Sequence, residues 1–205
     1  AAIGADVTHV VMSNQVHGTV IRAVGPGDGK ADLYDREEYE CDGLITDAPG
    51  LALTIFSADC IPVLLYDPVK RVIAAVHAGW RGTAGDIAGK AVDKMRAEYG
   101  CDPGNILAAI GPGIAACCFE THADVPEAMT AALGDLTAPY ITTLEQGKFQ
   151  VDLKGINAAL LRRAGAAPGH IEISGDCTAC HPEKYWSHRV TQGKRGNQAA
   201  MLQLL

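Results

Sequence analysis

The chain has 205 residues, 48% hydrophobic and 5% aromatic, with a formal charge of -7. That length and composition fit one globular domain with a real core. They exclude a membrane span, because no apolar run approaches the needed length, and a non-specific nucleic-acid surface, which needs a basic excess. The opening stretch AAIGADVTHVV has no basic n-region and does not read as a signal peptide. Seven cysteines are an odd number in a chain large enough to fold without cross-links. They read as mostly reduced thiols in a cytosol-like, cytoplasmic setting.

In chain order, residues 8–12 form an apolar, β-branched run and predict a strand. The polar stretch NQVHG follows at 14–18, and a second strand is expected over 20–24. His17 there is either a solvated turn histidine or a ligand at a strand end, with Gly18 permitting a close backbone approach. Residues 25–42 are glycine-rich, then charged through Asp35, Arg36, Glu37 and Glu38, and read as a surface excursion with one short helical turn. Short strands are expected over 44–46 and 51–56, divided by the Pro49-Gly50 turn signal.

The most informative stretch is SADCIPVLLYDPVKRVIAAVHAGWRGT at 57–83. Two apolar runs, 61–66 and 72–76, flank Asp67-Pro68-Val69-Lys70, a turn signal between strands. If they pair antiparallel, the first starts where the second ends, and Cys60 and His77 lie side by side at one sheet edge. A thiolate and an imidazole held together there can bind a soft metal or act as nucleophile and base. A helix is expected from Thr83 or a neighbour, as its cap, to about Tyr99, with Asp86 in its first turn and Gly100 as its stop. Free backbone N–H groups near Gly82-Thr83, beside Arg81, suggest a weak anion site.

Residues 106–110 predict a strand that ends in Gly111-Pro112-Gly113. Cys117 and Cys118 read as local packing, because adjacent cysteines do not comfortably share one tetrahedral ion. A helix over 123–133 tolerates Pro126 in its first turn. A short strand over 149–151 precedes a helix capped by Asp152 and ended by Gly165, and 171–173 alternates as a strand. The tail from 175 onward is dense in polar chemistry. Its Cys177-Thr178-Ala179-Cys180 pair, with His181 beside it, has the pattern of half a zinc knuckle or of a dithiol redox motif, but no second pair stands at a suitable spacing and no thioredoxin-like βαβ setting surrounds it, so packing or a labile disulfide is the favoured reading. Arg189 can hold an anion, and Lys194 and Arg195 add local basic charge. No GxGxxG follows a first strand, which disfavours a dinucleotide fold. Strands alternate with helices and include an antiparallel pair, so the fold class is α+β, with mixed, partly antiparallel sheets.

Six motifs occur in order: NQVHG (14–18), SADCIPVLLYDP (57–68), AAVHAGWRGT (74–83), GPGIAACCFE (111–120), DLKGINAALLRRAG (152–165) and DCTACHPEKYWSHRVTQGKRGNQAAML (176–202). Together they resemble the YfiH/YlmD family, the laccase-domain or multicopper-polyphenol-oxidase-like proteins, across essentially the whole chain. The resemblance implies one domain over 1–205 with a layered α/β/β/α fold, in a chain lacking a family N-terminal segment. It implies a metal site of His17, Cys60 and His77 that holds zinc, with copper as the alternative ion. Three protein ligands leave an open fourth position, as catalytic zinc sites do.

The implied activity is purine nucleoside phosphorolysis on adenosine, inosine, guanosine or methylthioadenosine, with adenosine deamination beside it. In deamination, water activated by the metal attacks C6 of adenine and ammonia leaves. In phosphorolysis, phosphate attacks the anomeric carbon as the purine departs. Asp59, adjacent to Cys60, is the proton-carrier candidate, and Arg81 or Arg189 the phosphate-binding candidate. The partners expected are a small purine nucleoside and phosphate, with neither nucleic acid nor membrane. The rival readings are a copper-dependent phenol oxidase, a Cys–His thiol hydrolase with Cys60 as nucleophile and His77 as base, and a non-catalytic metal-binding protein. The seven histidines include no His-x-His pair, which multicopper oxidation would need.

Overall fold

In a computed structural model, which describes residues 7–30 and 39–205, the apolar runs become strands of three sheets. The charged stretch Asp35–Glu38 of the expected excursion lies outside the described residues. The first part of the chain forms β1 (Val10–Val11), β2 (Ile21–Ala23), β3 (Gly43–Thr46), β4 (Ala52–Ser57), β5 (Ile61–Asp67) and β6 (Val72–Ala78). Then come α1 (Trp80–Ala84), α2 (Ile87–Tyr99), β7 (Leu107–Ile110), β8 (Glu120–Thr121) and α3 (Asp124–Leu133). The last third holds β9 (Ile141–Thr143), β10 (Phe149–Val151), α4 (Leu153–Arg163), β11 (Ile171–Ile173), α5 (His188–Thr191) and β12 (Gln198–Gln203).

A six-stranded sheet has the order β11-β7-β5-β6-β3-β2, and a three-stranded sheet has the order β1-β4-β12. A small third sheet, β8-β10-β9, lies apart from both. The large sheet is mixed: β2 runs parallel to β3 and β11 to β7, whereas β5 is antiparallel to both β6 and β7. Its centre is the hairpin read from the sequence. Pro62 pairs with His77 and Asp67 with Val72. The turn is fastened by Asp67, whose Oδ1 accepts the N–H groups of Val69 at 2.8 Å and Lys70 at 3.1 Å. Arg71 takes a positive φ of 54° there.

Every residue of β6 is buried, because the sheet is covered on both faces. Alternation along the strand sorts its side chains. Val72, Ala74, Val76 and Ala78 enter a core shared with α2 and α4, through residues such as Ile87, Met95, Ile156 and Leu160. Ile73 and Ala75 enter a second core, with Leu53 and Ile55 of β4 and Leu204. The described residues thus stack as helices, six-stranded sheet and three-stranded sheet. His77 shares the parity of Ile73 and Ala75, which assigns it to the face between the two sheets.

Two expectations change. The single helix from Thr83 is interrupted: α1 ends at Ala84, and Asp86 is the N-cap of α2, with φ 60° and its side chain accepting from Gly89 N–H at 3.1 Å. Gly82 and Thr83 therefore lie inside α1, and both are buried. Thr83 Oγ1 accepts from Asn157 at 2.9 Å, so packing against α4 replaces the expected anion site. The second change is β12, which the polar tail concealed. Gln198–Gln203 has no β-branched residue, and it becomes a strand because β4 offers a complete edge, from Ser57↔Gln198 to Ala52↔Gln203. That pairing brings residues 195–197 to the end of β4, near Cys60.

Candidate metal centre

The residue before β5 is Cys60 and the penultimate residue of β6 is His77, so the hairpin register alone makes them neighbours. The NQVHG loop completes the group. His17, Cys60 and His77 each offer one ligand atom, and these atoms lie within 4.8 Å of one another. The two imidazoles meet edge to face, with ring centroids 4.9 Å apart.

The loop is shaped by a residue the sequence left unassigned. Asp42 is fully buried just before β3. Its Oδ1 accepts the N–H of His17 at 3.0 Å, and its Oδ2 accepts those of Val16 at 3.2 Å and Gly18 at 2.7 Å. Oδ1 also pairs with Nδ1 of His77 at 2.8 Å. One carboxylate therefore holds His17, at φ 60°, and orients the His77 ring so that Nε2 is its free nitrogen. Only its place in Cys41-Asp42-Gly43, ahead of a strand, marked it in the sequence. Gln15 stitches the loop to β4, donating to Phe56 O and accepting from Phe56 N–H, both at 2.7 Å.

The electrostatics suit a metal. Burial pushes the Cys60 thiol up, but hydrogen bonds with His17 and His77 outweigh it and bring the pKa down to about 7. Burial lowers His77, and its hydrogen bonds with Asp42 and Cys60 reverse this, raising it to about 9. The thiolate is thus available near neutrality. Gly79 leaves the space needed: a Cβ there would come 2.8 Å from His17 Cδ2 and 3.3 Å from Cys60 Sγ. Two imidazoles and a thiolate in such a cradle fit zinc or copper.

The trio opens on a cleft of about 260 Å³ between the ends of the two sheets. Gln15, Phe56, Ser57, Arg195 and Asn197 also line it. Arg195 is the cation of the cleft. Its guanidinium donates to Gly196 O at 3.2 Å and to Asn197 Oδ1, while its Nε has no acceptor among the described residues.

Asp59, Arg81 and Arg189 are not among the residues lining this cleft. Asp59 takes φ 81°, and its carboxylate accepts from Thr178 Oγ1 at 2.6 Å, Ser187 Oγ at 3.2 Å and the Arg189 N–H at 2.7 Å. It fastens the tail to the corner that carries Cys60. The Arg189 guanidinium binds backbone carbonyls, Cys118 O at 3.0 Å and Glu120 O at 2.9 Å. Arg81 is exposed and stacks on Trp80, 4.3 Å from the ring centroid.

A family model described as multi-copper polyphenol oxidoreductase laccase matches residues 1–205. The chain is 33% identical over 201 residues to the purine nucleoside phosphorylase YlmD of Bacillus subtilis, covering 96% of this chain and 71% of that protein. It is 37% identical over 206 residues to a purine nucleoside phosphorylase of Deinococcus radiodurans, covering 100% and 74%. The crystal structure of the YfiH protein of Bacillus licheniformis superposes with a TM-score of 0.95 at 35% identity, over 100% of this chain and 77% of that one.

Proposed function

The chain belongs to the YfiH/YlmD family, and from that premise we propose that it is a metal-dependent purine nucleoside phosphorylase with adenosine deaminase activity, acting in the cytoplasm. The observation that carries the metal dependence is the convergence of His17, Cys60 and His77 at the mouth of a cleft that also holds Arg195. The names of its relatives support the nucleoside.

Zinc, or copper in its place, would be held by His17, the Cys60 thiolate and Nε2 of His77, and would supply a Lewis acid with an open coordination position. Asp42 keeps His77 in the tautomer that presents Nε2 and fixes the backbone of His17. Arg195 binds the phosphate whose oxygen attacks the anomeric carbon as the C–N bond to the purine breaks. It takes the role expected for Arg81 or Arg189, neither of which lines the cleft. Asp59 acts as a positioning residue, because three donors already occupy its carboxylate.

Two other readings have their own support. Asp42, His77 and Cys60 form a carboxylate–imidazole–thiol chain, the arrangement of a thiol hydrolase. The family description names copper-dependent phenol oxidation. Three assays on the same protein separate these readings. Metal-loaded protein is incubated with adenosine, with and without phosphate, and the products are chromatographed. Phosphate-dependent adenine and ribose 1-phosphate support phosphorolysis, and inosine supports deamination. The absence of both products overturns the reading. Oxygen uptake with a phenol under copper supports the oxidase, and hydrolysis of an amide or ester substrate by metal-free protein supports the thiol reading.

A further inference from the structure

Cys117 and Cys118 read in sequence as packing, and Cys177 and Cys180 as a pair without partners. The fold makes each pair the partner of the other. All four Sγ atoms lie within 4.8 Å of one another. Cys118 and Cys180 are 3.4 Å apart, Cys117 and Cys180 3.6 Å, and the adjacent Cys117 and Cys118 3.9 Å. A zinc ion bonded to four thiolates at about 2.3 Å sets its sulfurs about 3.8 Å apart. A disulfide needs about 2.05 Å. The observed separations bracket the edge of the zinc tetrahedron, and the turn at 116–118 lets two neighbouring cysteines span one such edge.

The backbone fixes this geometry. Gly113 and Cys177 form a parallel bridge, and Thr178 N–H donates to Gly113 O at 3.1 Å. The Ala115 N–H donates to Cys177 Sγ at 3.3 Å, as expected of a thiolate acceptor. In the Cys177–Cys180 turn, the N–H groups of Cys180 and His181 both reach Cys177 O at 3.2 Å. A compensating charge is present. Lys154 is 4% exposed, with Nζ donating to Ser174 O at 2.9 Å and Asp176 O at 2.6 Å, and it interacts electrostatically with Cys177 and Cys117.

We propose that Cys117, Cys118, Cys177 and Cys180 form a second metal site, a structural zinc centre distinct from the His17–Cys60–His77 centre and independent of the nucleoside reading. Four soft thiolates in a tetrahedron select zinc over hard divalent ions. The site is closed to catalysis because the protein supplies all four ligands. Its work is mechanical. Thr178, between two of the ligands, donates to Asp59, the residue before Cys60. The ion therefore locks the tail that carries Arg195 onto the corner that carries Cys60. Cys117 and Cys180 are exposed, so chelators and thiol reagents reach this ion.

The test is a zinc count on intact protein purified anaerobically. The expected content is about two ions per chain in the wild type, about one in Cys117→Ser/Cys180→Ser, and about one in His77→Ala. An unchanged zinc content in a folded double-cysteine variant overturns the proposal, as does intact-mass evidence for a disulfide within the cluster. Should the double variant fail to fold, cobalt titration of His77→Ala decides. With the first centre removed, intense thiolate-to-cobalt charge-transfer absorption must come from the four cysteines, and its absence refutes the site.

Discussion

Asp42 Oδ1 lies 2.8 Å from Nδ1 of His77, and the two side chains are 0% and 3% exposed. The same carboxylate caps three successive N–H groups of the loop that carries His17. A single buried residue thus sets the orientation of two candidate ligands that are 60 positions apart in the chain. Asp42→Asn keeps the size but loses the charge and half the acceptor capacity. Zinc affinity should fall roughly 10–100-fold, measured by competition with a chromophoric chelator. Unfolding in urea should show a loss of about 1–3 kcal/mol, because buried backbone donors lose a charged partner.

Removing a ligand is a sharper test than reorienting one. His77→Ala should lose the metal of this centre and the catalytic activity together, read by metal analysis and by turnover on the same sample. Full activity in metal-free protein would refute the metal's role.

Gly79→Ala separates geometry from chemistry. The new methyl would stand 2.8 Å from the His17 ring, whereas φ at this position is an ordinary -68°. The His17 side chain is exposed and can swing away, so the fold should survive. Zinc affinity should drop by about tenfold or more, the weakening expected when a ligand is displaced. Unchanged affinity would mean that His17 is not a ligand.

Proton release gives the pH dependence. In metal-free protein Cys60 titrates near 7 and His77 near 9. At pH 8 the thiol is already ionised and the imidazole still protonated, so zinc binding should release about one proton from this pair. Below pH 7 the thiol must ionise as well, so more than one is released and affinity falls. Calorimetry in buffers of different ionisation enthalpy measures the number. Peptide-resolved alkylation of metal-free protein should show Cys60 reactivity rising through pH 7 and blocked by zinc.

Arg195→Ala tests the assignment of the phosphate. A charged hydrogen bond of about 1.5–3 kcal/mol corresponds to roughly 10–100-fold in binding. KM for phosphate should rise by that factor, while adenosine deamination, which uses no phosphate, should change little. Equal loss in both assays would assign Arg195 to the nucleoside instead.

The hairpin can be read from the chain without its fold, and with it two of the three residues of the candidate metal centre. A five-residue gap between two apolar runs, marked by Asp67 and Pro68, admits essentially one antiparallel register. That register makes Cys60 and His77 neighbours. Helix ends at Gly100 and Asp152 were legible for the same reason, since capping is a contact between residues a turn apart. His17 stood as a possible ligand by its position, but only the family resemblance joined it to Cys60 and His77, because nothing local ties NQVHG to the hairpin. Asp42, Arg195 and the four-cysteine cluster needed the tertiary structure. Asp42 acts across a loop and two strands. Arg195 reaches the cleft because β12, a strand with no β-strand signature, pairs with β4. Cys117 and Cys180 meet across 63 residues because β7 and β11 run side by side and deliver their following loops to one place. Such pairings are set by which sheet edge is open and which core is shared, and neither leaves a periodic mark on a single stretch of chain.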